Sequence, residues 1–448
     1  MAVVKSEIKH RMTRRLFDWD YRQRAIYMIT LTLADRSREW LGRLILAENG
    51  KAQDGAKPSA ALPNGAQSTS LQGSAVAHCA SGKHGAEIVQ DNSGLQGSFS
   101  GTWGAEVAQG NSGMQGAFHG TRYPVVAQSC ATISPTPFGL AVLEALAEMP
   151  RLYPQVKIIE SQLMPEHLHF VIFVQQPLEK PLGALIRGFK AGATKRWRLI
   201  SGESPVWAEG FQDTILLRDG QLQAMLDYVR DNPRRLAEKR ANPELFRRVA
   251  LLELPLNGGR IIGRFEALGN RHLLDRPMVQ VQCSRRYLSY RRIAKAGGGL
   301  KIAKDAIGEP IVERSTQEYE ERLESTLVAA KHGAVVLSPC ISDGEKQIAR
   351  EVLKRNLPLV VLKNMGFSKY EKPGGRYFEA CAEGRLLMLA PAAWPYSTQA
   401  KAMTRFDATA LNRIAQWLAG EDAVEINYHG MQPENIDGLA EEALRSAW

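Results

Sequence analysis

Two stretches of the sequence bring together residue types whose spacing bears on chemistry. The first is Gln162-Leu-Met-Pro-Glu-His167-Leu-His169-Phe-Val-Ile-Phe-Val174. Its branched and aromatic residues give it strand character, and side chains alternate along a strand, so His167 and His169 point to one face. Two imidazoles held that way present two nitrogens to a single divalent ion. A pair of half-buried histidines with no ligand is the ordinary alternative. The second stretch is Gln221-Leu-Gln-Ala-Met-Leu-Asp-Tyr228-Val-Arg-Asp-Asn232-Pro233-Arg-Arg-Leu. Leu222, Met225, Leu226 and Val229 make a helical apolar stripe with Tyr228 beside it. Asn232 follows one turn later, on the side of Tyr228 if the helix persists. Pro233 argues against persistence, because the residue before a proline is pushed away from helical angles. A tyrosine in such a place is ordinarily a packing anchor.

The elements that must position these residues alternate between strand and helix. Residues 25–33 read as a strand, 139–148 as a helix, 156–161 and 163–174 as strands, and 182–199 and 221–231 as helices. This mixture suggests an α+β sandwich. Residues 49–134 interrupt it with Gly, Ala, Ser and Gln and few branched or aromatic side chains. Within them a 19-residue unit beginning at Gly85 repeats in tandem from Gly104, and Ser70-Leu-Gln-Gly-Ser74 echoes its core. We read this segment as a repeat-expanded, disordered insertion, since it is too poor in apolar residues to stack as a solenoid. From Asn257-Gly-Gly259 onward the pattern changes: strands at 278–282, 334–337 and 359–362 alternate with helices at 316–331 and 344–355. That alternation indicates a parallel-sheet α/β domain.

The chain has 448 residues, long enough for two domains, and a formal net charge of +10, which favours a polyanionic partner. No apolar run is long enough for a secretory signal or a membrane span, so an anionic membrane is the weaker partner and a cytoplasmic location is expected. The five cysteines are scattered without any CxxC spacing, which supports neither a disulfide framework nor a thiolate zinc site.

Taken in order, Met164-Pro165 leading into His167-Leu-His169, then Pro205-Val-Trp207, Phe211-Gln-Asp213, Tyr228 and Asn232-Pro233 resemble the single-tyrosine HUH transposases of insertion sequences, with the REP-associated tyrosine transposases as the nearest subgroup. The resemblance runs from Asp18 to Val249, excluding the insertion. It implies a ferredoxin-like antiparallel sheet, His167 and His169 as metal ligands, Asn232 as third ligand, and Tyr228 as the nucleophile. A Mg²⁺ or Mn²⁺ ion so held would polarise the scissile phosphate of single-stranded, hairpin-bearing DNA. The phenol would lose its proton and form a 5′ phosphotyrosine, which a second strand could then attack without ATP. The resemblance leaves open a homodimer that supplies the tyrosine in trans.

Basic residues suited to phosphate accompany this site. Arg187, Lys190 and Arg198 share one helical face with Phe189 and Trp197 turned toward the core, and Arg230, Arg234 and Arg235 follow the tyrosine. Trp207 and Phe211 could stack on bases, although packing is the commoner use. The expected organisation is a basic arm at 1–17, the HUH domain at 18–255 with its insertion at 49–134, and a Rossmann-like domain at 256–448. In that last domain Leu268-Gly-Asn-Arg-His-Leu-Leu274, Val335-Val-Leu-Ser338, Leu359-Val-Val-Leu362 and Leu411-Asn-Arg-Ile-Ala-Gln-Trp-Leu418 are similar to the DNA-processing protein A (Smf) fold. Cys283 stands where a glycine is expected, and Ser338-Pro-Cys-Ile-Ser-Asp-Gly344 lacks the glycine after its serine. Gly344, with Lys346 nearby, leaves an anion site at a helix amino end as one reading and a structural turn as the other. Beyond the transposase, two other functions fit the same residues: a domesticated DNA-binding protein with weak catalysis, and a hydrolase that uses water and leaves Tyr228 dispensable.

Overall fold

The structure, a computed structural model, describes residues 19–46, 131–201, 207–217, 220–294, 299–305, 308–369, 371–398, 403–420 and 433–445. The basic arm lies outside them, as does the insertion apart from its last residues.

The first unit begins with β1 (Ala25–Thr32) and the pair β2 (Gly42–Leu46) and β3 (Ala131–Pro135). Next come α1 (Pro137–Leu152), β4 (Val156–Leu163), β5 (His167–Val174), α2 (Leu182–Ser201), β6 (Gln212–Leu216) and α3 (Gln221–Ala241). Four strands form an antiparallel sheet in the order β4-β5-β1-β6. β2 and β3 pair with each other outside it, so residues 131–134, expected within the insertion, are strand. Thr136 caps α1 by accepting the Gly139 amide, and Pro137 opens the helix, where its missing N–H costs nothing. Gly139 sits so close to β2's approach that a Cβ there would lie 1.9 Å from the Leu41 carbonyl oxygen.

Strand alternation sorts β5 into two faces. Leu168, Phe170, Ile172 and Val174 are buried against α1 and α2, together with Tyr27, Ile29 and Leu31 of β1. The opposite face carries His167, His169 and Val171, and there Val171 packs with Leu226 and Val229 of α3 and with Ile26, Met28 and Tyr228. Helices therefore cover both faces, and the histidine face belongs to α3.

α3 does not stop at Asp231 but continues to Ala241 through Pro233. A proline inside a helix leaves the carbonyl four residues earlier without its donor. Here the Asn232 side-chain amide donates to Val229 O at 3.4 Å and to Tyr228 O at 2.8 Å, which compensates for the missing N–H.

The second unit starts within α4 (Pro243–Phe246), whose Leu245 belongs to its core, and β7 (Val249–Leu256). It continues through β8 (Ile261–Gly269), β9 (Met278–Gln280), the short strands β10 (Leu288–Tyr290), β11 (Arg292–Ala294), β12 (Leu300–Ile302) and β13 (Val312–Ser315), and α5 (Gln317–Lys331). β14 (Val335–Ser338), α6 (Asp343–Lys354), β15 (Leu359–Leu362), α7 (Arg376–Ala382), β16 (Leu386–Pro391), α8 (Arg405–Ala419) and α9 (Pro433–Leu444) complete it. Six strands order as β7-β8-β16-β15-β14-β9; the last four run parallel, and β8 is antiparallel to β16. α5, α6 and α7 cover one face and α8 and α9 the other. The sequence boundary at 255/256 places residues 249–255 with the first domain, but β7 pairs with β8 in the second sheet because its apolar residues face that core. No described helix is long and apolar enough to cross a membrane.

Candidate functional site

His167 and His169 lie at the start of β5, opposite Thr32 and Thr30 of β1. Their Nε2 atoms approach to 3.0 Å. His167 Nδ1 bonds Glu166 Oε1 at 3.1 Å, and His169 Nδ1 bonds Thr30 Oγ1 at 2.8 Å. Burial first, then the positive neighbours His167 and Lys239, hold His169 well below the usual imidazole range, so it is neutral. Burial opposes ionisation of Glu166, but the His167 hydrogen bond and its charge outweigh it and keep the carboxyl below its ordinary value. With His169 neutral and Glu166 ionised, His167 Nδ1 donates to Glu166. The Nε2–Nε2 contact needs one proton, on either ring, and the Thr30 hydroxyl donates to or accepts from His169 Nδ1 accordingly.

The site can hold a metal ion on the chemistry of its donors. The paired Nε2 atoms converge, and each ring is oriented through its other nitrogen, as metal-binding histidines are. To present both lone pairs, His169 must carry its proton on Nδ1, where Thr30 Oγ1 can accept it. Among the described residues no group of three His, Cys, Asp or Glu side chains gathers, so a third protein ligand would be of another kind. Asn232 commits its amide nitrogen to its own helix and retains an oxygen as acceptor.

Tyr228 reaches this face from α3, with its ring edge-on to His169 and the centroids 5.9 Å apart. Burial raises its pKa and the nearby Arg235 charge works against that rise, so the phenol is protonated at neutral pH. The Arg235 guanidinium lies 5.6 Å from the Tyr228 ring centroid. Burial, with Lys372 and Arg235 adding to it, lowers Lys239 to about 8.

The basic residues expected to meet phosphate divide into two groups. Arg187 and Arg198 are exposed on α2, and Arg230 is exposed but paired with Glu160 at 2.6 Å. Lys190 instead turns inward, its Nζ donating to the Ala208 and Gly210 carbonyls, which anchors the stretch before β6. Arg234 bonds Asp231 at 2.6 Å and Glu379 at 2.7 Å, and Arg235 is buried over the Phe378 ring. These two are therefore not part of an exposed basic surface: the second unit covers them. Phe211 is buried, and Trp207 packs between Phe138 and Phe189 rather than offering a free stacking face. Thr30 was not found from the sequence, because only sheet register brings it to His169. Glu166 adjoins the motif, and its neighbour His167 was the signal that could have found it.

The anion site considered at the amino end of α6 is closed by the protein itself. The Glu345 carboxylate accepts from the amides of Ile341 and Ser342 at 2.7 and 3.3 Å, and it also reaches the Cys283 amide. Ser342 completes a capping box, and a Cβ on Gly344 would meet Cys283 Sγ at 2.3 Å. The amides of Ile341, Ser342 and Glu345 are thus taken by groups of the protein, and an internal carboxylate stands at the helix end.

No family model matches the chain. It is 26% identical over 115 residues to a Haemophilus influenzae protein described as uncharacterized, an alignment covering 21% of this chain and 64% of that protein. A solved structure of a REP-associated tyrosine transposase bound to a REP hairpin is similar over 21% of this chain and 53% of its own, with 19% identity and a TM-score of 0.18. The chain thus spans under two thirds of the length of either.

Proposed function

We propose that the amino-terminal unit is a ferredoxin-like, single-tyrosine HUH nuclease and strand transferase that acts on single-stranded DNA carrying hairpins, with Tyr228 as nucleophile. One observation carries the reading. The imidazole pair and the phenol come from separate elements, β5 and α3, yet meet on one face of the sheet, with His169 and Tyr228 in edge contact at 5.9 Å. A structural histidine pair needs no phenol beside it, and a hydrolase that activates water needs none either.

The Tyr228 oxygen attacks phosphorus, forming a phenol–phosphate bond as the bond to the 3′ oxygen breaks. The phenol proton leaves to base or solvent, and the departing 3′ oxygen takes up a proton. The cleaved strand stays attached through its 5′ phosphate, and another 3′ hydroxyl can reverse the step. His167, His169 and the Asn232 oxygen would hold Mg²⁺ or Mn²⁺, which supplies Lewis-acid stabilisation of the phosphate charge. The chain itself orients the ligands through Glu166 and Thr30, and its α3 presents the phenol. Arg187 and Arg198 are the exposed cations left to track the DNA backbone. The carboxyl-terminal unit is Rossmann-like in this reading, with a parallel core between two helical layers.

The test is incubation of the full chain with end-labelled single-stranded hairpin DNA and Mg²⁺ or Mn²⁺. A denaturation-resistant adduct that disappears in Tyr228→Phe supports the transferase. Cutting that survives Tyr228→Phe would establish the hydrolase, and binding with no adduct would establish a DNA-binding protein.

A further inference from the structure

The contact between the two units is concentrated on the tyrosine helix. Arg235 is 7% exposed, and its guanidinium lies between two rings, 3.7 Å from the Phe378 centroid on α7 and 5.6 Å from the Tyr228 centroid. Glu379, beside Phe378, bonds Arg234 at 2.7 Å and approaches Arg235 Nη1 at 3.9 Å. Lys239, one turn further along α3, also lies over Phe378, at 5.5 Å.

α7 is in turn fixed within the second core. Phe378 is fully buried and stacks on Phe246 at 5.1 Å, and Cys381 Sγ donates to the Leu245 carbonyl at 3.0 Å. α4 is therefore built into the carboxyl-terminal unit and the second half of α3 touches it through Arg234, Arg235 and Lys239, while Tyr228 faces His169 of the first. A guanidinium held over an aromatic face is well placed to stabilise charge nearby, and a buried one costs more to leave unpaired than an exposed one.

We infer that the carboxyl-terminal unit is a working part of the tyrosine site: Phe378 and Glu379 hold Arg235 against the Tyr228 ring, and all three are positioning residues that fix the phenol on the histidine face. This rests on the transferase reading. The Tyr228 ring meets His169 of β5 on one side and Arg235 of α3 on another, and Arg235 is in turn held by Phe378 and Glu379 of α7.

The experiment follows two readouts in the full chain at one neutral pH: the rate of adduct formation set against DNA affinity, and the Tyr228 ring resonances by carbon-13 NMR of labelled tyrosine, which needs no cleavage. The variants are Arg235→Gln, Arg235→Lys, Phe378→Leu and the part-exposed, isosteric Glu379→Gln. Arg235→Gln is expected to slow adduct formation by roughly 10- to 100-fold with DNA affinity unchanged. It should also shift the Tyr228 ring resonances, with partial rescue of both readouts by Arg235→Lys. Phe378→Leu and Glu379→Gln should move both readouts the same way by less, without loss of DNA binding. If wild type forms adduct while Glu379→Gln and a folded Arg235→Gln leave rate and ring resonances unchanged, the inference is overturned and the transferase reading stands. If the resonances shift but wild type forms no adduct, the contact to Tyr228 is supported, while its positioning role in the reaction and the transferase reading both fail.

Discussion

The histidine–tyrosine face of the first unit and the β14–α6 turn of the second both gather polar groups at the end of an interior strand, with opposite results. At α6 an internal carboxylate, Glu345, accepts from the backbone amides of Ile341 and Ser342 that lead into the helix. On β5 the two imidazoles meet through one proton between their Nε2 atoms, and with His169 protonated on Nδ1 against Thr30 its Nε2 lone pair is open to a ligand. A site able to bind is therefore one whose internal contacts can be exchanged at low cost. A turn that satisfies itself with a buried carboxylate is structural.

The sharpest break of this comparison is Tyr228→Phe, expected to abolish covalent adduct formation, more than about a thousandfold in rate. His169→Ala should follow, with adduct formation down by roughly a hundredfold and calorimetric Mn²⁺ binding weakened by about 10- to 100-fold. In the second unit, Glu345→Ala leaves buried amides without a partner and should cost about 1–3 kcal/mol in denaturant unfolding, with Tyr228 adduct chemistry retained. Strong binding of a phosphate analogue at α6 in the wild type would reverse the contrast drawn above.

Acid tests the histidine face further. His169 is held neutral in the folded protein, whereas the unfolded chain takes up a proton below about 6.5. Its contribution is therefore present above that pH and declines as pH falls, by up to ~1.4 kcal/mol per unit, until the depressed folded pKa is reached. Metal-free protein should show this slope in chemical unfolding between pH 6.5 and about 5, and His169→Gln should flatten it. The smallest expected effect is at the surface: Arg187→Ala or Arg198→Ala should weaken single-stranded DNA binding a few-fold at low salt and lower the salt dependence by about one counterion each.

Much of the candidate site is legible in local sequence. The two-residue spacing of His167 and His169 is a strand period, and the stripe Leu222, Met225, Leu226 and Val229 marks the buried side of α3. In the second sheet β9, β14 and β15 were legible from their apolar runs, whereas β7, β8 and β16 were not read as strands. Pro233 misled the reading of α3, because the proline rule acts on backbone angles, whereas the compensation comes from the Asn232 side chain.

The sequence by itself determined that the imidazoles share a face and that Tyr228 sits beside an apolar stripe, because strand and helix periods are local properties of the chain. Only the tertiary structure decided that this stripe lies on the histidine face, that Thr30 orients His169, and that Glu345 fills the α6 turn. It also decided that Arg234 and Arg235 turn toward Phe378 and Glu379, more than a hundred residues away in the chain. An arginine seeking phosphate and one seeking a carboxylate and a ring look alike in sequence. The choice between them is made by whichever partner the packed units bring within reach.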